Sequence, residues 1–292
     1  MSFLAPLIAP ALALLAAFLF GLLIHLQRRG LAHVDDLTGV LASLAAMATF
    51  FWIIAAFTID WRWFATDAAL LFAGIGVFFP AASQFLQIVS VQRVGTALTS
   101  AIGSFTPIWA VVPALIFLNE KLGVQGGIGM GLMILGLLLS AMAPKSFRGG
   151  WPVWALALPL GASLARGIVQ PVVKAGYQQV PSPIFASVIM GTVSTLVILA
   201  IWLAPQARIK RRYSMLGLKW FALSGIVNGV AILSLFMAID TGNIAIVTPL
   251  SSTAPVFALA LGVLVFRTEQ MVPRHYAVVG LTVLGAVILV SG

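Results

Sequence analysis

Residues 104–122, SFTPIWAVVPALIFLNEKL, decide the fold of this chain together with a near copy at residues 251–271, SSTAPVFALALGVLVFRTEQM. Each stretch is apolar, is broken by a proline near its start and ends beside a glutamate. When Pro107 is placed on Pro255, the neighbouring apolar and hydroxyl residues also align. Two such stretches about half a chain apart indicate an internal duplication.

The alignment extends outward from the two prolines over nearly the whole chain. One residue is added in the second copy, beside Arg267, before the glutamates meet. The matched segments are Glu120 with Glu269, GLMILG at 131–136 with GLTVLG at 280–285, and GLLIHLQRRG at 21–30 with GIVQPVVKAG at 167–176. The sequence therefore predicts two copies, residues 1–146 and residues 147–292.

The composition indicates a membrane protein. Hydrophobic residues make up 61% of the 292 residues, charged residues make up 8%, and the mean hydropathy is +1.12. This leaves too little polar surface for a water-soluble globule. Apolar blocks of roughly 17–25 residues match helices that cross a hydrocarbon core about 30 Å thick. Barrel strands would alternate apolar and polar residues, a pattern that the chain lacks.

Charges, proline and glycine clusters and polar runs divide the chain into ten predicted spans with short connections. The predicted spans are 6–26, 37–57, 68–90, 95–117, 122–142, 152–174, 183–203, 216–238, 243–266 and 275–291. The first lacks the basic start and short apolar centre of a secretory signal, so we expect it to be retained. Five spans per copy is an odd number, so the second copy enters the membrane from the opposite side. The predicted fold is an all-α membrane protein of ten transmembrane helices, arranged as two inverted five-helix repeats around a central cavity.

The net charge of +9 is unevenly distributed among the connections. Most basic residues fall in the odd-numbered connections, which the positive-inside rule places in the cytoplasm, with both termini outside. Short basic loops suit anionic lipid headgroups better than nucleic acid. The absence of cysteine excludes disulfides, thiolate metal sites and cysteine nucleophiles, and no cofactor or metal is expected. Glycines at 126–131 and the GxxxG spacing of Gly225 and Gly229 fit close helix approach, which leaves both a monomer and a dimer open.

The chain resembles the drug/metabolite transporter superfamily in its ten-helix, EamA-type form. The resemblance rests on FMAIDTGNIAIVTPLSSTAPVFALALG at 236–262, on the weaker first copy VQRVGTALTSAIGSFTPIWAVV at 91–112, and on the paired glutamates and G-L-x-[IV]-L-G endings. The third span, GVFFPAASQFLQIVSVQ at 76–92, looks most like the YddG-type exporters of aromatic amino acids. The resemblance implies a basket of helices around a central cavity, and export of small metabolites through a bacterial inner membrane.

Two prolines mark the candidate central site. A proline inside a helix displaces the carbonyl four residues earlier, so Pro107 and Pro255 are predicted hinges. Freed backbone in a membrane must be satisfied by protein or by a water-filled cavity. Either spans four and nine line the substrate site, or the prolines only shape packing kinks whose backbone Ser and Thr satisfy. The candidate substrate-binding residues here are Thr99, Gly103, Ser104, Trp109, Ser251 and Ser252.

Polar residues in spans three and eight are further candidates. Ser83, Gln84 and Gln87 lie in apolar surroundings, where unpaired amides are costly, so they either recognise a solute or join helices. The repeat partners of both glutamines are apolar, which favours a functional role for Gln84. For Asn228, in the eighth span, a structural role is favoured.

Arg166 is a charged residue within the sixth span, with Gln170 one turn later. Burying such a charge costs at least about 2.5 kcal/mol on insertion scales, so it marks a candidate functional site. A guanidinium can bind a substrate carboxylate through two hydrogen bonds. Alternatively, Arg166 reaches an interface or pairs with an acidic residue at a helix end.

The seven acidic residues all fall in loops or at helix ends, so no mid-membrane carboxylate is predicted to carry a proton or an organic cation. Glu120 and Glu269 are expected to cap the helix that follows each of them. His25 is expected to be a satisfied interfacial side chain rather than a proton relay.

The favoured function is alternating-access export of a small-molecule substrate, above all an aromatic or other apolar amino acid. A nucleoside, a sugar or another amino acid stays open as the substrate, and a channel is a further alternative. A membrane-embedded enzyme is less favoured, because the sequence has no HExxH motif and no paired carboxylates within a span. The expected partners are therefore the substrate and membrane lipids, without nucleic acid.

Overall fold

The computed structural model describes residues 5–94, 99, 102–141, 152–204, 211–212, 214–267 and 272–291. Within these residues the chain is all-helical, without β-strands. Eight helices are long and apolar enough to cross a membrane, and two shorter apolar helices lie at the fourth and fifth predicted spans. The predicted class, a multi-pass helical membrane protein, agrees with this arrangement.

The described α-helices are α1 Ala5–Leu31, α2 Asp36–Thr58, α3 Asp67–Gly76, α4 Ser83–Val94, α5 Thr106–Phe117, α6 Val124–Ala141, α7 Ala157–Gly176, α8 Pro183–Leu203, α9 Met215–Thr241, α10 Ile244–Ser251, α11 Ala254–Leu264 and α12 Pro273–Ser291. A π-helical segment, Val77–Ala82, joins α3 to α4, and 3₁₀ turns occupy Trp61–Ala65 and Val153–Leu156.

Polar capping residues fix where several helices begin. The Asp35 side chain accepts a hydrogen bond from the Thr38 amide at the start of α2, at 3.0 Å. Ser182, Ser214 and Asn243 perform the same role at the starts of α8, α9 and α10. Each cap satisfies an amide that the first helical turn leaves unpaired, so these starts lie within a few residues of the predicted ones.

Three predicted continuous spans are interrupted within the described residues, which corrects the predicted boundaries: the third, the ninth, and the fourth, which turns at 104–105 before α5. The third span, 68–90, changes to π-helix at Val77–Ala82, where Phe79 has extended backbone angles before Pro80. The ninth span, 243–266, separates into α10 and α11. Proline lacks an amide N–H and is therefore favoured in the first turn of a helix. Pro107 and Pro255 lie in the first turns of α5 and α11 rather than in a helix interior.

Helix packing follows close glycine contacts. The helix α1 packs on α9 and α11, α7 packs on α4 and α5, and α8 packs on α2, α3 and the π-helical segment. An added Cβ at Gly167 would lie 2.4 Å from the Trp109 Cβ, and one at Gly21 would lie 2.8 Å from the Ala258 amide nitrogen. Only glycine permits these approaches, as is usual between membrane helices.

The bundle has two faces, because successive spans run in opposite directions. We call the face with the even-numbered connections and both described chain ends the terminal face, and the other one the basic face. On the basic face, Asp35 and Arg212 exchange two hydrogen bonds, of 2.8 and 3.1 Å, and so join two odd-numbered connections. On the terminal face, Lys174 and Glu120 form an ion pair.

Candidate functional site

A set of hydrogen-bonded polar side chains lies among α4, α5, α7 and α10, far from both ends of α7. We call it the central polar cluster, and its members are Gln87, Thr106, Ser163, Arg166, Gln170 and Thr248. Polar groups at this depth are costly unless they are paired or face a hydrated space. The cluster is therefore the candidate substrate site.

Arg166 is the centre of the cluster. It lies near the middle of α7, and its Nη1 donates to Gln87 Oε1 on α4 at 2.5 Å. Gly103 lies on the other side, since an added Cβ there would be 3.8 Å from Nη2. Gln87 is a neutral amide, so this hydrogen bond does not neutralise the guanidinium. Arg166 is thus held in place while its charge stays available to an anionic group.

Gln170 connects Arg166 to α10, the helix that precedes Pro255. Its Nε2 donates to the Arg166 carbonyl at 3.4 Å, and its Oε1 accepts from Thr248 Oγ1 on α10 at 2.5 Å. Both Gln170 and Thr248 are buried. Gln170 therefore joins α7 to α10 on the terminal-face side of Arg166.

Hydroxyl groups satisfy the backbone beside both helix breaks. Thr106 Oγ1 donates to the Gly103 carbonyl at 2.7 Å and contacts Ser163 Oγ at 3.1 Å. At the second break, the hydroxyls of Ser251 and Ser252 both donate to the Thr248 carbonyl at 2.9 Å. These contacts match the alternative in which Ser and Thr satisfy the backbone near the prolines.

Two candidate side chains carry buried polar atoms without a hydrogen-bond partner among the described residues. They are Oε1 of Gln84, which follows the π-helical segment, and Nε1 of Trp109, on α5 against Gly167. Nearly all buried polar atoms in proteins are paired, so each such atom needs an explanation. An acceptor and a donor are thus left for a ligand or water near α4, α5 and α7.

The remaining candidates lie outside the hydrogen-bonded cluster. Ser83 Oγ donates to the Pro80 carbonyl at 3.0 Å, and Thr99 pairs with Ser90 at 2.6 Å. Ser104 is buried at the turn before α5. Asn228 contacts Met47 Sδ at 3.5 Å between α9 and α2, which is a helix-packing position.

His25 and Glu120 both make contacts across the chain. His25 Nε2 lies 2.8 Å from the Ala258 carbonyl, and its ring stacks on Phe266. Glu120 does not cap the helix that follows it, so that expectation is wrong. Its Oε1 accepts from the Ile244 amide at 3.1 Å and its Oε2 from the Ala245 amide at 3.2 Å, which caps α10 in the other half of the sequence.

Sequence reasoning missed this terminal-face junction, which consists of Glu120, Lys174, Gly242, Ile244 and Ala245. Lys174 Nζ donates to Glu120 Oε1 at 2.7 Å and to the Gly242 carbonyl at 2.5 Å. The side chain of Glu120 is only 8% exposed. A carboxylate beside a helix N-terminus and a lysine is favourably placed, so the junction ties α7 and α10 to the end of α5.

An all-helical, multi-pass membrane protein with a buried polar cluster is the class of molecule that this fold and site define. The chain belongs to the EamA-like transporter family, whose sequence profile matches residues 7–142 and 153–291. It also matches 29 solved chains. One, titled "Crystal structure of protein", matches at a TM-score of 0.77 and 16% identity, with 96% of this chain and 95% of that chain covered. Comparison with curated proteins gave no match.

Proposed function

We propose that this protein is a carrier that moves a small carboxylate-bearing metabolite across a bacterial inner membrane by alternating access. The observation that carries the proposal is Arg166, a mid-span guanidinium oriented by the neutral Gln87 and so available to a substrate carboxylate. Two parallel N–H···O bonds to a carboxylate are the strongest contact that this side chain offers.

The proposed architecture is a pair of inverted five-helix repeats, residues 1–146 and 147–292. Pairs of glycine contacts support it. Gly21 packs against the carbonyl of Ala254, at 3.0 Å from an added Cβ, and its repeat partner Gly167 packs against the carbonyl of Thr106, at 2.9 Å. The two carbonyls are themselves repeat partners, because each immediately precedes an aligned proline.

A second pair of contacts follows the same relation. An added Cβ at Gly225 would lie 2.1 Å from the Ser43 carbonyl, and one at Gly76 would lie 3.0 Å from the Met190 carbonyl. The stretch from Gly76 to Gln84 is one residue longer than the stretch from Gly225 to Ile232, the repeat partner of Gln84. The break in the helix at Val77–Ala82, where Phe79 has extended backbone angles, has room for this extra residue. The two family matches, 7–142 and 153–291, also fit the proposed halves.

Alternating access requires that contacts on one face break while those on the other form. On the terminal face, two layers of bonds separate Arg166 from solvent: Gln170 with Thr248, and Lys174 with Glu120. The first layer joins α7 to α10, and the second joins α7 to the end of α5 and, through the amides that Glu120 caps, to the start of α10. We propose that they part when the central cavity opens to the terminal face.

The proposed substrate is an aromatic or other apolar amino acid. Arg166 binds its carboxylate, while the unpartnered Trp109 Nε1 and Gln84 Oε1 supply a donor and an acceptor nearby. The Trp109 indole also offers an apolar face on which a planar side chain stacks. A pocket with a few fixed polar groups and an aromatic wall is the usual form of a small-molecule site.

Counterflow into liposomes tests the proposal. Purified protein is reconstituted with each of a panel of amino acids inside, and entry of the same labelled compound is measured with and without a pH gradient. We expect trans-stimulation for apolar or aromatic amino acids, and about a 100-fold weaker response in Arg166→Gln, because a charge-assisted contact is worth about 1.5–3 kcal/mol.

Matched compounds decide between substrate classes. Amines that lack the carboxylate are expected to give no counterflow, while nucleosides and sugars serve as the other metabolite classes. Equal counterflow of an amino acid by the wild type and by Arg166→Gln would remove the carboxylate role of Arg166. Flux without trans-stimulation would identify a channel instead of a carrier.

A further inference from the structure

A second polar pocket lies at the terminal face, away from the central polar cluster. It has a volume of about 300 Å³ and is lined by Leu118, Glu120, Lys174, Tyr177, Gln178 and Asp240. Two carboxylates and one ammonium give the lining one net negative charge. The pocket is large enough for a small metabolite.

Tyr177 is the unexplained residue of this pocket. It is buried, and its hydroxyl is a buried atom without a hydrogen-bond partner among the described residues. Burial and the nearby Asp240 carboxylate raise the pKa of Tyr177 well above its ordinary value, so the phenol keeps its proton. A buried hydroxyl that is protonated and unpaired is a donor that lacks an acceptor.

Asp240 supplies the complementary group. It is exposed at the end of α9, whereas the other carboxylate of the pocket, on Glu120, is occupied by Lys174 and two amides of α10. Lys174 uses two of its three N–H bonds, on Glu120 and on the Gly242 carbonyl. The pocket therefore offers donors from Tyr177 and Lys174 and an anionic acceptor from Asp240.

A stripe of polar residues joins the pocket to the central polar cluster. Arg166, Gln170 and Lys174 follow one another at four-residue spacing along α7, so they lie along one side of that helix. Arg166 and Lys174 are about 12 Å apart along the helix axis at 1.5 Å per residue. Gln170, bonded to Thr248, stands between them.

We propose that this pocket is a second binding site for a small zwitterion, which carries its carboxylate to Tyr177 and Lys174 and its ammonium group to Asp240. The inference rests on the proposed function, since the ligand is the transported amino acid before or after its passage through the central site. This second site lies at the terminal-face junction. A ligand bound there contacts Lys174 beside its ion pair with Glu120.

Equilibrium dialysis of the full-length protein in detergent against radiolabelled L-phenylalanine measures how many ligand molecules bind per chain. We expect two in the wild type, one in Arg166→Gln, one in Asp240→Asn and none in the double variant. Gln179→Ala, an exposed neighbour on the same loop outside the pocket, is the matched control and keeps two.

Two analogues separate the roles of the pocket residues. Tyr177→Phe is expected to weaken binding of 3-phenylpropionate at this site by about tenfold while leaving phenethylamine unchanged, and Asp240→Asn is expected to do the reverse. Binding of both analogues is measured in the Arg166→Gln background, which lacks the central site, so the result reports on the second site alone.

Each result supports or overturns the inference. A single wild-type site that Arg166→Gln removes overturns the second site and leaves the proposed function intact. A single site that Asp240→Asn removes, and Arg166→Gln does not, supports the second site and contradicts the central one. Absence of binding to every variant, each folded by its circular dichroism spectrum, overturns both sites for this ligand class.

Discussion

Under the proposed repeat, the central polar cluster has a counterpart set of aligned residues with different chemistry. Under the proposed repeat, Arg166 corresponds to Phe20, Gln87 to Leu235 and Trp109 to Phe257. The glycine contacts that bring the helices together are similar on both sides. Under the proposed repeat, the counterpart junction forms from apolar side chains alone.

The comparison bears on the proposed role of the polar side chains. A buried polar group that is only partly paired lowers stability relative to an apolar one of similar size. Arg166, Gln84 and Trp109 carry that cost, whereas Phe20, Ile232 and Phe257 do not. The excess polarity of one side is best explained by a ligand that the other side does not bind.

The largest expected effect comes from removing the charge that the polar side has and its counterpart lacks. Arg166→Gln keeps a hydrogen-bonding side chain but removes the charge, so we expect transport to fall about 100-fold with little change in unfolding temperature. Phe20→Leu, at the counterpart position, is the control and is expected to transport normally. Counterflow in liposomes measures both, and an equal loss in the two variants would mean that the difference between the sides is structural.

The next effect tests the similarity of the two sides instead of their difference. Gly167→Ala and Gly21→Ala place a Cβ 2.4 Å from Trp109 Cβ and 2.8 Å from the Ala258 amide nitrogen, so each is expected to cost about 2 kcal/mol of stability. Gly74→Ala, whose added Cβ meets nothing within 4 Å, is the control. Thermal unfolding in detergent checks the prediction, and a loss confined to one of the two glycines would contradict the repeat.

The sequence predicted most of the fold because its signals are local. Apolar length, charges, proline and glycine clusters and polar runs placed the spans, and the helices capped by Asp35, Ser182 and Ser214 begin within a few residues of the predicted starts. The break in the helix at Val77–Ala82 was not predicted, since it leaves the hydrophobicity of the span almost unchanged. Residues 95–98 and Glu269 lie outside the described residues, so the predictions made for that face stay predictions.

The site was predicted less completely because its partners are distant in sequence. Arg166 and Gln87 were each singled out by polarity, but no spacing rule joins positions on different helices. Thr106 and Thr248 were not predicted, because threonine in a membrane helix usually bonds its own backbone and so gives no signal. Glu120 was assigned to its own helix for the same reason, whereas its carboxylate caps α10.

A smaller effect concerns access to the central cavity from the terminal face. Glu120→Gln weakens the ion pair with Lys174 and the cap on α10, so we expect a shift of about 1.4 kcal/mol towards opening of the terminal face. In this cysteine-free chain, the labelling rate of Gln170→Cys by an impermeant thiol reagent from that face should rise about tenfold. Glu269→Gln, at the repeat position, is expected to lower it. Equal labelling in all three backgrounds would show that the junction does not control access.

The smallest effect returns to the polar atom without a partner. Gln84→Ile copies the residue at the counterpart position, Ile232, and removes the unpartnered Oε1, so we expect stability to rise by about 1 kcal/mol while transport falls several-fold. The reciprocal variant, Ile232→Gln, adds a buried amide without a ligand and is expected to lose stability with transport unchanged. A higher unfolding temperature with weaker counterflow in Gln84→Ile identifies Gln84 as a binding residue. If Gln84 only packed, its replacement would change stability and transport in the same direction.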